Sequence, residues 1–276
     1  MTPLTVALAL FPSLEHQQIG VGPYNHVVSD APIPITPANL PVHRLNGLDL
    51  TYRGFEWRDE FDSALRSNTG RLRMYVDRQG VAHLDQLLLD SPGASIRVRR
   101  DLGDMFDLAL LGGNFENTWD AEDLGWVQYR VFSPSHLTLL GFSNTDQDDD
   151  DKLKHYISIG SGAGVDAIGR IVGPVGLRLR GVGEARTLNR HQGDAQNHVR
   201  HEVSLSAEAG LAMLFESQAW MLNSWAEMTS QWETRDDDGK SGVDRQQIAW
   251  GLRLDVRLYR PDNRDLSNPL GSVPAN

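Results

Sequence analysis

The chain contains no cysteine, which excludes disulfides, thiolate zinc sites and thiol nucleophiles. No apolar run approaches the ~20 residues that a helical membrane span requires. A basic surplus is missing too: 26 Lys and Arg face 37 Asp and Glu, a formal net charge of −11. Nucleic-acid phosphates need a basic face, so no nucleic-acid partner is expected. There is no period of 20–50 residues that would signal a solenoid. What is present is 276 residues, 40% of them hydrophobic, enough for one large domain or two small ones with a full core.

Residues 5–11 (TVALALF) form a short apolar run with no Lys or Arg before it. The run reads either as the remnant of a signal peptide or as an ordinary buried segment. Residues 30–46 (DAPIPITPANLPVHRLN) carry four prolines, which oppose both helix and central strand. Residues 1–46 are therefore set apart as a signal remnant and an irregular Pro-rich linker. From 47 to 113 the signals are mixed. Trp57, Phe61 and Leu65 recur every four residues, the spacing of one short helix. Segments 71–77 (RLRMYVD), 95–99 (SIRVR), 126–132 and 136–142 alternate like strands.

From 151 onward the alternation is regular. Ile248, Trp250, Leu252, Leu254, Val256 and Leu258 occupy one parity, while Arg245, Gln247, Arg253, Asp255 and Arg257 occupy the other. Successive strand residues point to opposite faces, so this segment is a strand with one apolar and one charged face. Residues 199–211 and 175–187 repeat the pattern. So do residues 218–233, with Trp225 and Met221 as exceptions.

Soluble antiparallel sheets also alternate, but three further features point to a membrane. The strands run ~13–16 residues, against ~5–6 in ordinary globular proteins. Trp220 and Trp232 share the apolar face twelve residues apart, which at a tilt near 45° projects to roughly 28 Å along the membrane normal. With Trp250 they make a candidate aromatic girdle. The connections also alternate in length: 166–170 and 213–217 are short, whereas 143–152, 188–197 and 235–242 are longer and strongly polar. Outer-membrane barrels have short periplasmic turns and long outer loops.

On these residues the chain resembles bacterial outer-membrane β-barrel proteins as a broad class. The resemblance implies an all-β fold: an antiparallel up-and-down transmembrane β-barrel of about 8–12 strands over residues 47–259, followed by a C-terminal tail at 260–276. It also implies an outer-membrane location with lipid and lipopolysaccharide as neighbours. Small solutes are candidate partners, and the expected state is a monomer or a small homo-oligomer. Such barrels commonly end on a terminal aromatic residue. Tyr259 is the nearest match, with seventeen residues beyond it.

In this reading the charged parity lines the lumen. It presents Arg178, Arg180, Arg186, Arg200, Arg245, Arg253 and Arg257 against Glu184, Glu202, Glu208, Glu227, Glu233 and Asp255. Near balance of sign favours a paired network that fills the interior, with a small hydrophilic channel as the alternative. The functional expectation is an integral outer-membrane barrel with a structural or small-solute channel role. A lipid or peptide hydrolase on a barrel, and a soluble β-barrel binding protein, remain as alternatives.

Other motifs carry less. His191, His198 and His201 with Glu202 cluster in sequence, yet a strand throws 198 and 201 to opposite faces, so neither a metal nor a cofactor is expected. The acidic runs 146–151 and 236–238 lack the spacing of a calcium loop. The run Gly160-Ser161-Gly162-Ala163-Gly164 lacks the GK[ST] ending of a phosphate loop and suits a tightly packed barrel strand. His155 and Ser161 share a face but lie ~20 Å apart along one strand, too far to form a catalytic pair.

Overall fold

The computed structural model describes residues 16–29, 46–57, 64–77, 79–91, 93–99, 105–124, 127–144, 154–192, 196–215, 218–235 and 245–259. The acidic runs 146–151 and 236–238 and the C-terminal tail lie outside them, as does most of the Pro-rich segment. Among the described residues the chain forms twelve strands: β1 (His16–Ser29), β2 (Asn46–Trp57), β3 (Ala64–Val76), β4 (Ala82–Ser91), β5 (Ala94–Arg99) and β6 (Met105–Asp123), then β7 (Val127–Asn144), β8 (Lys154–Val172), β9 (Val175–Gln192), β10 (Gln196–Leu214), β11 (Gln218–Arg235) and β12 (Arg245–Tyr259).

Each strand pairs antiparallel with its sequence neighbour, and β1 pairs with β12 from His16↔Tyr259 to Ser29↔Gln246, closing the barrel. Closure leaves no unpaired sheet edge, which a lipid environment demands. One irregularity breaks the ring. The β4–β5 hairpin is short, and beyond its tip β3 pairs directly with β6, Ala64↔Asn117 to Arg66↔Phe115. The wall therefore has twelve strands at one end and ten at the other.

The ten-stranded end carries both ends of the strand array and the tight turns at 173–174 and 215–217, so it is the periplasmic end. Connections 30–45, 145–153 and 236–244 belong to the opposite, outer end. The β8–β9 turn is Gly173-Pro174, with Val172 paired to Val175. Gly173 has φ +54°, while proline's ring holds φ near −65°. That combination selects the II′ hairpin turn, which wants Gly first.

The polarity of the wall is inverted relative to a soluble protein. Outward-facing Ile159, Leu139, Leu222 and Leu179 are 53–66% exposed. The largest fully buried side chains are headed by Arg73, Arg178, Arg190 and Arg200, all 0–2% exposed. A soluble barrel would bury the leucines and expose the arginines. Lipid replaces water on this apolar surface, and the barrel spans a membrane.

Three expectations need correction. β1 falls within residues 1–46 and belongs to the barrel; Gly20, Gly22 and Pro23 interrupt its alternation and hide it. Trp57 ends β2 and Leu65 is the second residue of β3, so the four-residue spacing there marks two strands, not one helix. The turn expected at 166–170 lies instead at 173–174, because β8 continues to Val172. The glycine run sits within β8, where the Phe132 ring of β7 covers the space that a Cβ on Gly164 would need.

Candidate functional site

Alternation turns every second residue of twelve tilted strands into one cylinder of side chains. The basic members of that cylinder are almost all arginine; the whole chain has only three lysines, Lys152, Lys154 and Lys240. A guanidinium forks to two acceptors at once, and its planar donors can serve carboxylates on different strands.

Asp166 accepts from Arg178 Nε and Nη2 at 3.1 and 3.0 Å, and from Arg180 at 3.3 Å. Arg253 joins Glu208 at 2.7 Å and Asp255 at 2.9 Å, and Asn223 donates to Asp255. Glu116 accepts from Arg130 at 2.6 Å and pairs with Arg53. Arg257 donates to Gln18 at 3.0 Å.

Other contacts span the lumen. Arg71 and Arg73 on β3 reach Glu227 on β11 at 2.6 and 3.0 Å, both over the Trp225 ring. Arg200 on β10 meets Asp107 on β6 at 2.7 Å. These strands lie four apart round the ring. Arg99 on β5 lies 3.8 Å from Glu202 on β10 and donates to Gln247 on β12 at 2.8 Å, five strands away in both cases. Between these bridges lies a chamber of about 330 Å³, lined by eight arginines and six carboxylates.

All nine lumen residues expected from sequence face inward: Arg178, Arg180, Glu184, Arg200, Glu202, Glu227, Arg253, Asp255 and Arg257. Glu184 makes no ion pair with any described residue; the other eight contribute to the contacts above. The side chain of Glu233 lies outside the described residues. Trp220, Trp232 and Trp250 face outward. Trp250 pairs with Ala226, six residues from either of the others, which places it at mid-depth rather than at a rim. Alternation fixes the face of a residue but not its depth. Trp232 stacks on His201 at 5.5 Å.

Sequence reasoning missed the opposite wall: Asp49, Arg71, Arg73, Arg99, Asp107, Glu116 and Arg130. The paired arginines of RLR at 71–73 and RVR at 97–99 share a parity and carried that signal. Trp225 and Met221, exceptions to the outward pattern, point inward because Trp225 lies beneath two guanidiniums.

Candidate catalytic groups are few. His155 faces outward against Phe142, and Ser161 contacts Ser133 at 3.5 Å. Within the lumen, Ser158 Oγ lies 2.8 Å from His136 Nε2, which Thr138 approaches at 3.0 Å. At the outer end Tyr24 donates to Asp85 at 2.8 Å, with His26 3.3 Å from the same carboxylate. On the adjoining turn His83 and Asp77 meet at 2.8 Å. That contact, with the amides of Val81 and Gln79, holds the Asp77 carboxyl below the usual carboxylate range. No group of three or more metal-ligating side chains occurs among the described residues.

A closed antiparallel barrel, apolar outside and charged within, meets every requirement of a spanning β-structure. The chain is a β-barrel of the outer-membrane kind. No family model and no curated protein matches it. Solved structures similar to it include the outer membrane protease OmpT from Escherichia coli, at 7% identity and TM-score 0.39, covering 89% of this chain and 96% of that one. The ferric citrate transporter FecA in its unliganded form is similar at 11% identity and TM-score 0.30, covering 91% of this chain and 43% of that one. Pseudomonas aeruginosa OccK11 (OpdR) follows at 8% identity and TM-score 0.20, covering 88% and 96%.

Proposed function

We propose that the protein is a narrow outer-membrane channel for small hydrophilic solutes, seated in lipid and lipopolysaccharide, whose lumen is held to a restricted bore by arginine–carboxylate bridges. The observation that carries this reading is the 330 Å³ polar chamber enclosed between bridges that join strands four and five apart. A purely structural barrel would gain more from an apolar or fully matched filling, since buried charges contribute little net stability. The mixed signs of the lining favour small solutes over strong selection for one ion.

An enzyme reading has less support. The Ser158–His136 contact sits on the inner wall, out of reach of acyl chains in the surrounding lipid.

Planar-bilayer recording of the full chain tests the proposal. Small, stable conductance steps are expected. Arg99→Ala removes a side chain reaching from β5 to Gln247 on β12 and should enlarge the steps. Folded protein that inserts yet never conducts, with or without Arg99→Ala, would replace the channel by a closed structural barrel.

A further inference from the structure

The chamber contains one cation and one anion that form no ion pair with any described residue, and they are neighbours. Arg186 on β9 is only 8% exposed and lines the chamber. Its one hydrogen bond is a long contact of 3.4 Å to the Ser158 hydroxyl, and its buried Nε has no partner. No carboxylate lies within ion-pairing distance of it among the described residues. Glu184, two residues earlier on the same inward face, also lines the chamber and makes neither a hydrogen bond nor an ion pair with any described residue. Arg97, on another part of the lining, is near enough to repel Arg186 and to attract Glu184. It holds Asp90 only at 3.5 Å, and its own Nε is unpartnered.

A buried charge without an ion pair, as at Arg186, is costly, and a ligand that neutralises it recovers part of that cost, while Glu184 stands exposed to the chamber. Here a cation and an anion stand side by side. Alternate residues of one strand are ~6.6 Å apart at the backbone, and both side chains are long enough to converge on charges a few ångströms apart. A simple anion would satisfy Arg186 but face Glu184. A simple cation would do the reverse, and a neutral polyol would satisfy neither.

We propose that this chamber binds small zwitterionic solutes of the amino-acid class, the carboxylate on Arg186 with support from Arg97 and the ammonium on Glu184. The inference rests on the channel reading for its biological sense, although binding itself is separable from passage.

The test uses saturation-transfer NMR on the full chain folded in detergent, with L-serine, lactate, ethanolamine and glycerol as probes of similar size. L-serine should bind more tightly than the other three. Glu184→Gln should weaken L-serine about tenfold, the weight of one charge-assisted hydrogen bond, while leaving lactate no weaker. Arg186→Gln should weaken L-serine and lactate alike. Arg186→Lys, which keeps the charge, should retain partial L-serine binding and serves if the Gln variant fails to fold. L-serine binding no better than glycerol, or unaltered by Glu184→Gln, would overturn the site. Swelling of proteoliposomes in glycerol reads the channel separately. Swelling without L-serine preference removes the site and keeps the channel; L-serine binding without swelling keeps the site and removes the channel.

Discussion

From β8 to β12 the strands are 15–19 residues long, and the pairings of β9 with β10, β10 with β11 and β11 with β12 run without a register shift. From β2 to β5 they are 6–13 residues long; a shift interrupts β3–β4, and three more interrupt β6–β7. The regular wall alternates cleanly and presents its charges in rows. The irregular wall breaks its ladder with bulges, which re-aim side chains, and with a hairpin too short to cross the membrane. Yet the lumen depends on both. Glu227 of the regular wall takes Arg71 and Arg73 from the irregular one, Arg200 takes Asp107, and Glu202 faces Arg99. Irregularity in one wall is where the chain fits its partner charges to the rows of the other.

The largest expected effect comes from cutting a bridge between the walls. Asp107 and Arg200 are 1% and 2% exposed, so Asp107→Ala deprives a buried guanidinium of its 2.7 Å carboxylate. Removing one member of such a pair costs about 3–5 kcal/mol, read as a lower denaturant midpoint for the folded, heat-modifiable form. Replacing both by leucine should recover most of that loss, since the uncompensated charge goes too. Native-like stability of Asp107→Ala would mean that the walls stand independently.

A smaller effect is expected at the seam between the walls. Phe132 on β7 lies over Gly164 of β8 and beneath the guanidiniums of Arg130 and Arg180, 4.5 and 5.0 Å from its ring centre. A methyl group on Gly164 must displace that ring, and Gly164→Ala should cost about 1–3 kcal/mol as an overpacking substitution. Gly181, on the neighbouring strand, has nothing nearer than Val165 at 3.9 Å to meet a Cβ. Gly181→Ala should change stability by less than ~0.5 kcal/mol. Equal costs at the two positions would rule out packing of the ring as the reason for the glycine.

How far the sequence could be read follows the same division. In β9 to β12, parity alone assigns faces, because a one-residue slip would send every arginine into lipid. The expected lumen residues on those strands all point inward. β1 was lost because Gly20, Gly22 and Pro23 carry little hydrophobic signal. β5 is legible, since residues 95–99 alternate, but β4 is not, because Leu87, Leu88 and Leu89 in succession break its alternation. Cross-lumen partners such as Asp107–Arg200 are 93 residues apart and meet only through closure of the ring. Depth was the other blind spot: Trp250 shares a face with Trp220 and Trp232 but not a rim.

The smallest expected effect is local and confined to the irregular wall. In the turn between β3 and β4, Asp77 accepts hydrogen bonds from the amides of Gln79 and Val81 at 2.8 and 2.9 Å and meets His83 at 2.8 Å. Gly80 follows with φ +83°, a conformation open to glycine at little cost. The His83 contact and the two amides favour the carboxylate, so the folded value lies below the ordinary one. A depressed carboxyl contributes its stabilisation fully above the unfolded value, ~3.9 for Asp, and loses it as pH falls through the folded value. Acid below about pH 4 should therefore loosen this turn in the native chain. Asp77→Asn should loosen it at every pH and erase that acid response. Amide exchange at Gln79 and Val81, compared between the two proteins at matched pH, reads the difference, while β9 to β12 should exchange alike in both. If the native turn and the Asn variant lose protection in parallel as acid is added, the carboxylate does not hold the turn.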